Sequence, residues 1–138
     1  MFLQQEQNSR KPCLLYIEDN AANVNLVLEI VERRGNLKFL SANSGHKGFE
    51  MAREHLPDVI LMDIKLPDIS GIEVLGLLRA NTATAAIPVM ALSSNAYPRQ
   101  IEHGETAGFQ KYLTKPFRIN DFLDALDSCL LIAARARQ

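Results

Sequence analysis

The stretch VILMDIKLPDISG, residues 59–71, decides how the rest of the sequence is interpreted. Its first four residues form a short apolar run that is typical of a buried strand, and the run ends at Asp63. Ser70 and Glu73 then form the S-x-x-E pattern of a capping box, which predicts a helix after a short loop. Asp63 is therefore expected where a strand leaves the core and meets solvent, and a carboxylate at that point needs an explanation.

The composition is that of one globular domain. The chain has 138 residues, of which 47% are hydrophobic and 22% charged, and its net charge is -1. We expect a polar tail or linker at 1–11, one domain at 12–131 and a C-terminal tail at 132–138. The absence of a basic excess argues against nucleic acid as a direct partner. Cys13 and Cys129 lie in apolar runs and are expected to be buried thiols, which suits a reducing cytoplasm.

No segment of the sequence has the length of a membrane span or the apolar block of a signal peptide, so no membrane contact is expected.

Short apolar runs alternate with helix-like segments along the whole chain. Five such runs predict strands: 13–17, 37–42, 59–62, 87–93 and 111–113. Helices are predicted at 20–34, after Ser44, after Ser70, over the polar segment 97–107 and from Ile119 onward. This alternation indicates an α/β fold with a parallel sheet covered by helices on both faces.

Helical spacing also predicts which residues face the core and where helices end. Ser44 is expected to cap the second helix, and Gly35 to end the first. The predicted inward residues are Val24, Val27, Leu28, Val31, Phe49, Ala52, Leu56, Leu75, Leu78, Ile119, Phe122, Leu123, Leu126 and Leu130.

Polar residues leave four of the five strands. In a parallel sheet the carboxyl ends meet at one edge, where ligands bind. Three acids gathered there would repel one another, and a divalent cation would remove that cost; oxygen ligands suit Mg²⁺. A metal, a lysine and a hydroxyl around one carboxylate are the parts needed to transfer a phosphoryl group onto it. The polar residues that leave the strands at this edge are Glu18, Asp19, Asp63, Ser93, Ser94, Thr114 and Lys115.

Each of these residues also has an ordinary structural interpretation. Asp63 could simply form a turn or cap a helix after its strand, and the pair Glu18 and Asp19 is equally compatible with capping the following helix. Lys115 alone would most often be a solvated charge, and Ser93 a satisfied hydroxyl at the end of a strand. Their occurrence at one edge on four strands favours a shared function.

Four motifs of the chain resemble the receiver domain of two-component response regulators, including receivers attached to hybrid histidine kinases. The motifs are LLYIEDN, LMDIKLPDISG, PVMALSSNA and YLTKPF, and the resemblance covers about residues 12–131. It implies a flavodoxin-like sheet with strand order 2-1-3-4-5. It also implies a signalling switch that assists its own phosphorylation and dephosphorylation, rather than an enzyme with a separate substrate.

The resemblance assigns a metal site to four residues. Asp19 resembles the residue that binds Mg²⁺ directly in the family. Glu18 resembles the second acid, which often contacts the metal through a water molecule. Asp63 is similar to the phosphoacceptor, and Lys65 would supply a backbone carbonyl to the metal. Glu18 stands where aspartate is commoner, which lengthens the side chain by one methylene.

The resemblance also assigns the residues that respond to phosphorylation. Ser93, in place of the commoner threonine, is similar to the hydroxyl that bonds the phosphoryl group, and Tyr112 to the aromatic residue that turns inward. Lys115 is similar to the lysine that pairs with phosphoryl oxygens, and its bond to Pro116 is expected to be cis. Lys65 and Asn95 occupy positions that tune the phosphate lifetime.

The expected donor is the phosphohistidine of a histidine kinase or phosphotransfer domain. Two contexts stay open: a stand-alone receiver, or the receiver of a hybrid kinase with residues 3–12 as the linker.

Two other functions were weighed. A Mg²⁺-dependent phosphohydrolase usually has a second aspartate two residues after its nucleophile, where this chain has Lys65. A flavodoxin-like cofactor binder would need a phosphate-binding loop after the first strand, and the acids of EDNAAN would repel a phosphate unless a cation intervened. A P-loop motif is absent from the sequence.

Overall fold

The computed structural model describes residues 10–94 and 107–136, and these contain five strands and four helices. The strands are β1 (Cys13–Ile17), β2 (Lys38–Ala42), β3 (Val59–Asp63), β4 (Val89–Ser93) and β5 (Lys111–Thr114). The helices are α1 (Ala21–Arg34), α2 (Gly45–His55), α3 (Gly71–Ala80) and α4 (Ile119–Ala136). The predicted helix at 97–107 lies, except for Ala107, outside the described residues.

All strand pairs are parallel, and the order across the sheet is β2-β1-β3-β4-β5. The predicted α/β class and strand order are therefore confirmed. The inner strands β1, β3 and β4 are buried along their whole length, whereas the edge strands β2 and β5 are partly exposed. This explains why the inner strands are apolar without alternation, since both of their faces are covered.

Two hydrophobic clusters cover the two faces of the sheet. Leu14 and Tyr16 of β1 pack with residues of α1 and α4, and this side is called the α1/α4 face. Leu15 and Ile17 pack with residues of α2 and α3 on the opposite side, the α2/α3 face. Because side chains alternate along a strand, the parity of a residue decides which face it occupies.

The predicted helix ends are confirmed. Gly35, with φ of 77°, ends α1, and its amide donates to the carbonyl of Val31. Ser44 accepts a hydrogen bond from the Lys47 amide at 3.2 Å, and Ser70 accepts one from the Glu73 amide at 3.1 Å.

Two residues predicted to face the core are exposed. Leu56 is 45% exposed, because it follows α2 in a left-handed conformation with φ of 47° and turns away from the helix face. Ile119 is 53% exposed at the first residue of α4, one turn before the buried Phe122. The helix α4 itself continues through Ala136, beyond residue 131, where the domain was predicted to end.

Both cysteines, Cys13 and Cys129, are buried free thiols, as predicted. Among the helices in the described part of the chain, none has the length and apolar character required to cross a bilayer.

Candidate functional site

Three charged residues continue the α1/α4 face at or just beyond the carboxyl ends of their strands. Glu18 follows β1, Asp63 is the last residue of β3, and Lys115 follows β5. Each stands two residues after a member of the core on that face, namely Tyr16, Leu61 or Leu113. The alternation that buries those apolar side chains therefore brings the three charges to one edge of the sheet.

Lys115 joins the two acids directly. Its Nζ donates to Asp63 Oδ2 at 2.8 Å and to Glu18 Oε1 at 3.1 Å. Glu18 is 2% exposed and Asp63 is 7% exposed, so both carboxylates depend on hydrogen bonds and on the lysine for compensation of their charge. The Lys115 amide also donates to the carbonyl of Ser93 at 2.7 Å, which fixes the lysine backbone against β4. The Lys115–Pro116 bond is cis, as predicted.

The second oxygen of Asp63 is held by the loop that follows it. The Lys65 amide donates to Asp63 Oδ1 at 2.9 Å, and the Gly71 amide donates to the carbonyl of Ile64 at 2.8 Å. A Cβ at Gly71 would lie 2.7 Å from the carbonyl oxygen of Asp63 and 3.0 Å from the Cα of Ile64. Only glycine permits this approach, so the start of α3 packs directly on the backbone at the end of β3.

Glu18 has a second set of donors, which the sequence analysis missed. Its Oε1 accepts from the Tyr16 hydroxyl at 3.0 Å and from Asn23 Nδ2 at 3.1 Å, and its Oε2 accepts a longer bond of 3.4 Å from the Asn20 amide. The period of two along β1 could have predicted the contact with Tyr16.

Asn20, not the acidic pair, caps α1, because its Oδ1 accepts from the Asn23 amide at 3.0 Å.

The electrostatics distinguish the two buried acids. Burial and the nearby charge of Glu18 raise the pKa of Asp63, against the opposing hydrogen bonds from Lys115 and the Lys65 amide. Burial alone would also raise the pKa of Glu18, but its bonds with Lys115 and Asn23 outweigh that effect and lower it. Burial would lower the pKa of Lys115, yet the bonds to Asp63 and Glu18 raise it. The pKa values of the two acids are thus shifted in opposite directions.

The third acid, Asp19, is exposed at the start of the loop after β1. Across residues 10–94 and 107–136, no three His, Cys, Asp or Glu side chains form a group that could hold a metal ion. The donor chemistry of Glu18, Asp19 and Asp63 still suits Mg²⁺, which prefers hard oxygen ligands and keeps several waters. In this arrangement Lys115 occupies one oxygen of Glu18 and one of Asp63.

The predicted switch residues lie on the other side of the sheet. Ser93 follows Val89 and Ala91 in alternation, and these two belong to the α2/α3 face. Tyr112 pairs with Ala91 in the register of β4 and β5 and packs edge-on against Phe109, with ring centroids 6.4 Å apart. Ser93 is buried and Tyr112 is half-buried, while Asn95 lies outside the described residues.

Asp68, for which no role was predicted, connects the loop after β3 to the helix α2. Its carboxylate accepts from the amides of Gly45 and His46 at 2.7 and 2.9 Å, at the N-terminus of α2. These backbone bonds, that of His46 foremost, lower the pKa of Asp68 to about 2. The two ends of the contact are distant in sequence, so no local pattern could have predicted it.

The chain matches a known protein family. Residues 14–127 match the family model described as the response regulator receiver domain. The polar-differentiation response regulator DivK of Brucella ovis is 34% identical over 117 residues, which cover 85% of this chain and 94% of that protein.

Two solved structures are similar. The signal receiver domain of a Luxo repressor protein from Vibrio parahaemolyticus has a TM-score of 0.85 at 20% identity, with 93% of this chain and 96% of that one covered. The receiver domain of a sensor histidine kinase from Pseudomonas aeruginosa PAO1, which has a magnesium ion coordinated in its active site cleft, has a TM-score of 0.80 at 26% identity. That match covers 88% of this chain and 98% of the other.

Proposed function

Because the chain belongs to the response regulator receiver domain family, we propose that it is a phosphorylation-dependent signalling switch whose phosphoacceptor is Asp63. The observation that carries this proposal is the position of the Asp63 carboxylate. It lies at the carboxyl end of the central strand β3, is almost buried, and is bonded by Lys115 on one oxygen and by the Lys65 amide on the other.

The proposed reaction is a phosphoryl transfer from a phosphohistidine of a histidine kinase or phosphotransfer domain. An oxygen of the Asp63 carboxylate attacks phosphorus and a P–O bond forms, while the P–N bond breaks with its electron pair left on the ring nitrogen. Because the other ring nitrogen of the phosphohistidine carries a proton, the imidazole leaves as a neutral ring. Lys115 moves from the carboxylate to an oxygen of the arriving phosphoryl group and compensates its charge. The pair that Lys115 makes with Asp63 at rest thus holds the cation ready.

Mg²⁺ is part of this proposal. Glu18, Asp19, Asp63 and the backbone carbonyl of Lys65 would hold it, and when bound it supplies positive charge against the phosphoryl oxygens. These residues suit Mg²⁺ because they offer the oxygen ligands that the ion prefers.

We propose that phosphorylation of Asp63 then changes the packing on the opposite side of the sheet, the α2/α3 face. The new group carries roughly two negative charges and strong acceptor oxygens. The Ser93 hydroxyl moves toward it, and Tyr112, which pairs with the residue two before Ser93, turns inward on the α2/α3 face. The phosphoryl group stabilises this packing because it makes these contacts only in the switched state. A protein partner then binds the altered face. Two buried free thiols suit a protein that works in the cytoplasm.

Intact-mass measurement tests the proposal. Wild-type protein is incubated with Mg²⁺ and acetyl phosphate, beside Asp63→Asn and the matched control Asp124→Asn, an exposed aspartate of α4. Wild type and the control should each gain one acid-labile phosphoryl group, and Asp63→Asn none. Equal labelling of Asp63→Asn would refute the assignment.

A further inference from the structure

One oxygen of Glu18 receives three hydrogen-bond donors. Tyr16, Asn23 and Lys115 all donate to Oε1, at 3.0, 3.1 and 3.1 Å. Oε2 accepts the long 3.4 Å bond from the Asn20 amide. The carboxylate is therefore oriented with one oxygen inward, toward the lysine, and the other toward the loop after β1.

The donors other than Lys115 come from rigid parts of the fold. Tyr16 is fully buried in β1, and its ring belongs to the core on the α1/α4 face, so its hydroxyl has little freedom to move. Asn23 lies in the first turn of α1, whose start is fixed by the Asn20 cap. Bonds from two anchored elements converge on one oxygen, and such convergence restricts a flexible side chain more than a single bond does.

Because Glu18 is buried, the loss of any one of these donors would destabilise the folded protein. The side chain of Glu18 is 1% exposed, so water cannot easily replace a lost donor. Tyr16 is an aromatic residue whose hydroxyl must also find a partner in the core, and Glu18 provides it.

We propose that Tyr16 and Asn23 are positioning residues, which hold the Glu18 carboxylate so that Lys115 is kept between Glu18 and Asp63. This inference rests on the proposed function, in which Lys115 and Asp63 act on the phosphoryl group. It assigns a role to the longer acid at position 18: the glutamate reaches both Lys115 and the two fixed donors.

The test uses Tyr16→Phe, which keeps the ring in the core and removes only the hydroxyl, and Asn23→Ala. Asn25→Ala, an exposed residue on the same helix, is the matched control. Two quantities are measured: the rate constant for labelling of Asp63 by phosphoramidate, and the NMR signal of the Lys115 ammonium without any phosphodonor. Each variant should lower the rate constant about tenfold, the value of one charge-assisted hydrogen bond. Each should also broaden or shift the ammonium signal, while Asn25→Ala changes neither.

A double-mutant cycle separates positioning from packing. In a Glu18→Asp background the shorter carboxylate cannot keep all three bonds, so Tyr16→Phe should change the rate constant less than about twofold. An equal loss in both backgrounds, or an unchanged ammonium signal in Tyr16→Phe, would overturn the inference. If wild type is not labelled at Asp63 at all, the proposed function fails instead, and the ammonium signal still decides whether Tyr16 and Asn23 position Lys115.

Discussion

Lys115 Nζ lies 2.8 Å from Asp63 Oδ2, and this bond joins the end of β5 to the end of β3 across the intervening strand β4. The same nitrogen also donates to Glu18 at the end of β1, the strand on the other side of β3. One cation from the end of β5 thus compensates two nearly buried carboxylates at the ends of β1 and β3. The proximity of these acids, which would otherwise repel each other, depends on the lysine.

Replacement of this lysine should affect both phosphorylation and stability. In Lys115→Met, Glu18 and Asp63 lose their common cation, so labelling by acetyl phosphate should fall at least about tenfold. Without the lysine both acids favour protonation in the folded state, so their folded pKa values lie above the unfolded ones. The free energy of unfolding of the variant should therefore lie furthest below wild type near pH 8 and approach it toward pH 4.

Urea titration at several pH values measures this effect. Lys38→Met, an exposed lysine of the edge strand β2, serves as control and should show no such pH dependence. A deficit in Lys115→Met that is the same at pH 8 and pH 4 would show that the lysine does not compensate these acids.

The protonation of Asp63 should set the acid limit of its labelling. Burial, with the charge of Glu18, raises the pKa of Asp63, and a protonated carboxyl is a poor nucleophile. The rate of labelling by phosphoramidate should thus decline at a higher pH than the ordinary pKa of an aspartate would give. Carbon-13 NMR of the Asp63 carboxyl in the metal-free protein gives its midpoint directly. A midpoint at or below that of an exposed aspartate would contradict the prediction.

The tie between Asp68 and α2 should appear as a pH-dependent contribution to stability. Backbone hydrogen bonds, led by that of His46, lower the pKa of Asp68 to about 2, below the value in the unfolded chain. A lowered acid pKa contributes stability that is complete above the unfolded pKa and is lost as the pH falls through the folded one. Asp68→Ala should therefore be less stable than wild type at pH 6, and the difference should shrink as the pH falls toward 2.

Ser44→Ala provides the comparison for Asp68, because Ser44 caps the same helix with a neutral hydroxyl. The decrease in the free energy of unfolding caused by Ser44→Ala should not depend on pH over this range. If the Asp68→Ala difference is equally flat, the carboxylate does not hold the helix through its charge.

Local patterns in the sequence predicted the parts of the site that depend on strand parity and parallel order. Glu18, Asp63 and Lys115 were predicted together because each ends a strand of one parallel sheet, and the structure brings them into contact. Asp19, the other acid of the pair that leaves β1, is exposed, since neighbours at the end of a strand point in different directions.

Contacts between distant segments were not predictable in the same way. The bonds of Asp68 to α2 depend on how the loop after β3 folds over a helix far away in sequence. Leu56 fitted the helical spacing, but the chain leaves α2 there in a left-handed conformation, which no periodicity encodes.

Two glycines of α3 should respond in opposite directions to the same substitution. At Gly71 an added Cβ would meet the backbone of Asp63 and Ile64 at 2.7 and 3.0 Å, and backbone atoms cannot give way as a side chain does. We expect Gly71→Ala to lower the free energy of unfolding by about 1–3 kcal/mol, as overpacking does, and to slow labelling of Asp63 because its strand end is displaced. At Gly76 nothing lies within 4 Å of the added atom, so Gly76→Ala should raise the free energy of unfolding by up to about 1 kcal/mol through helix propensity. Urea midpoints and labelling rates are measured for both variants. If Gly71→Ala is as stable and as readily labelled as Gly76→Ala, α3 does not pack against β3 as closely as the structure has it.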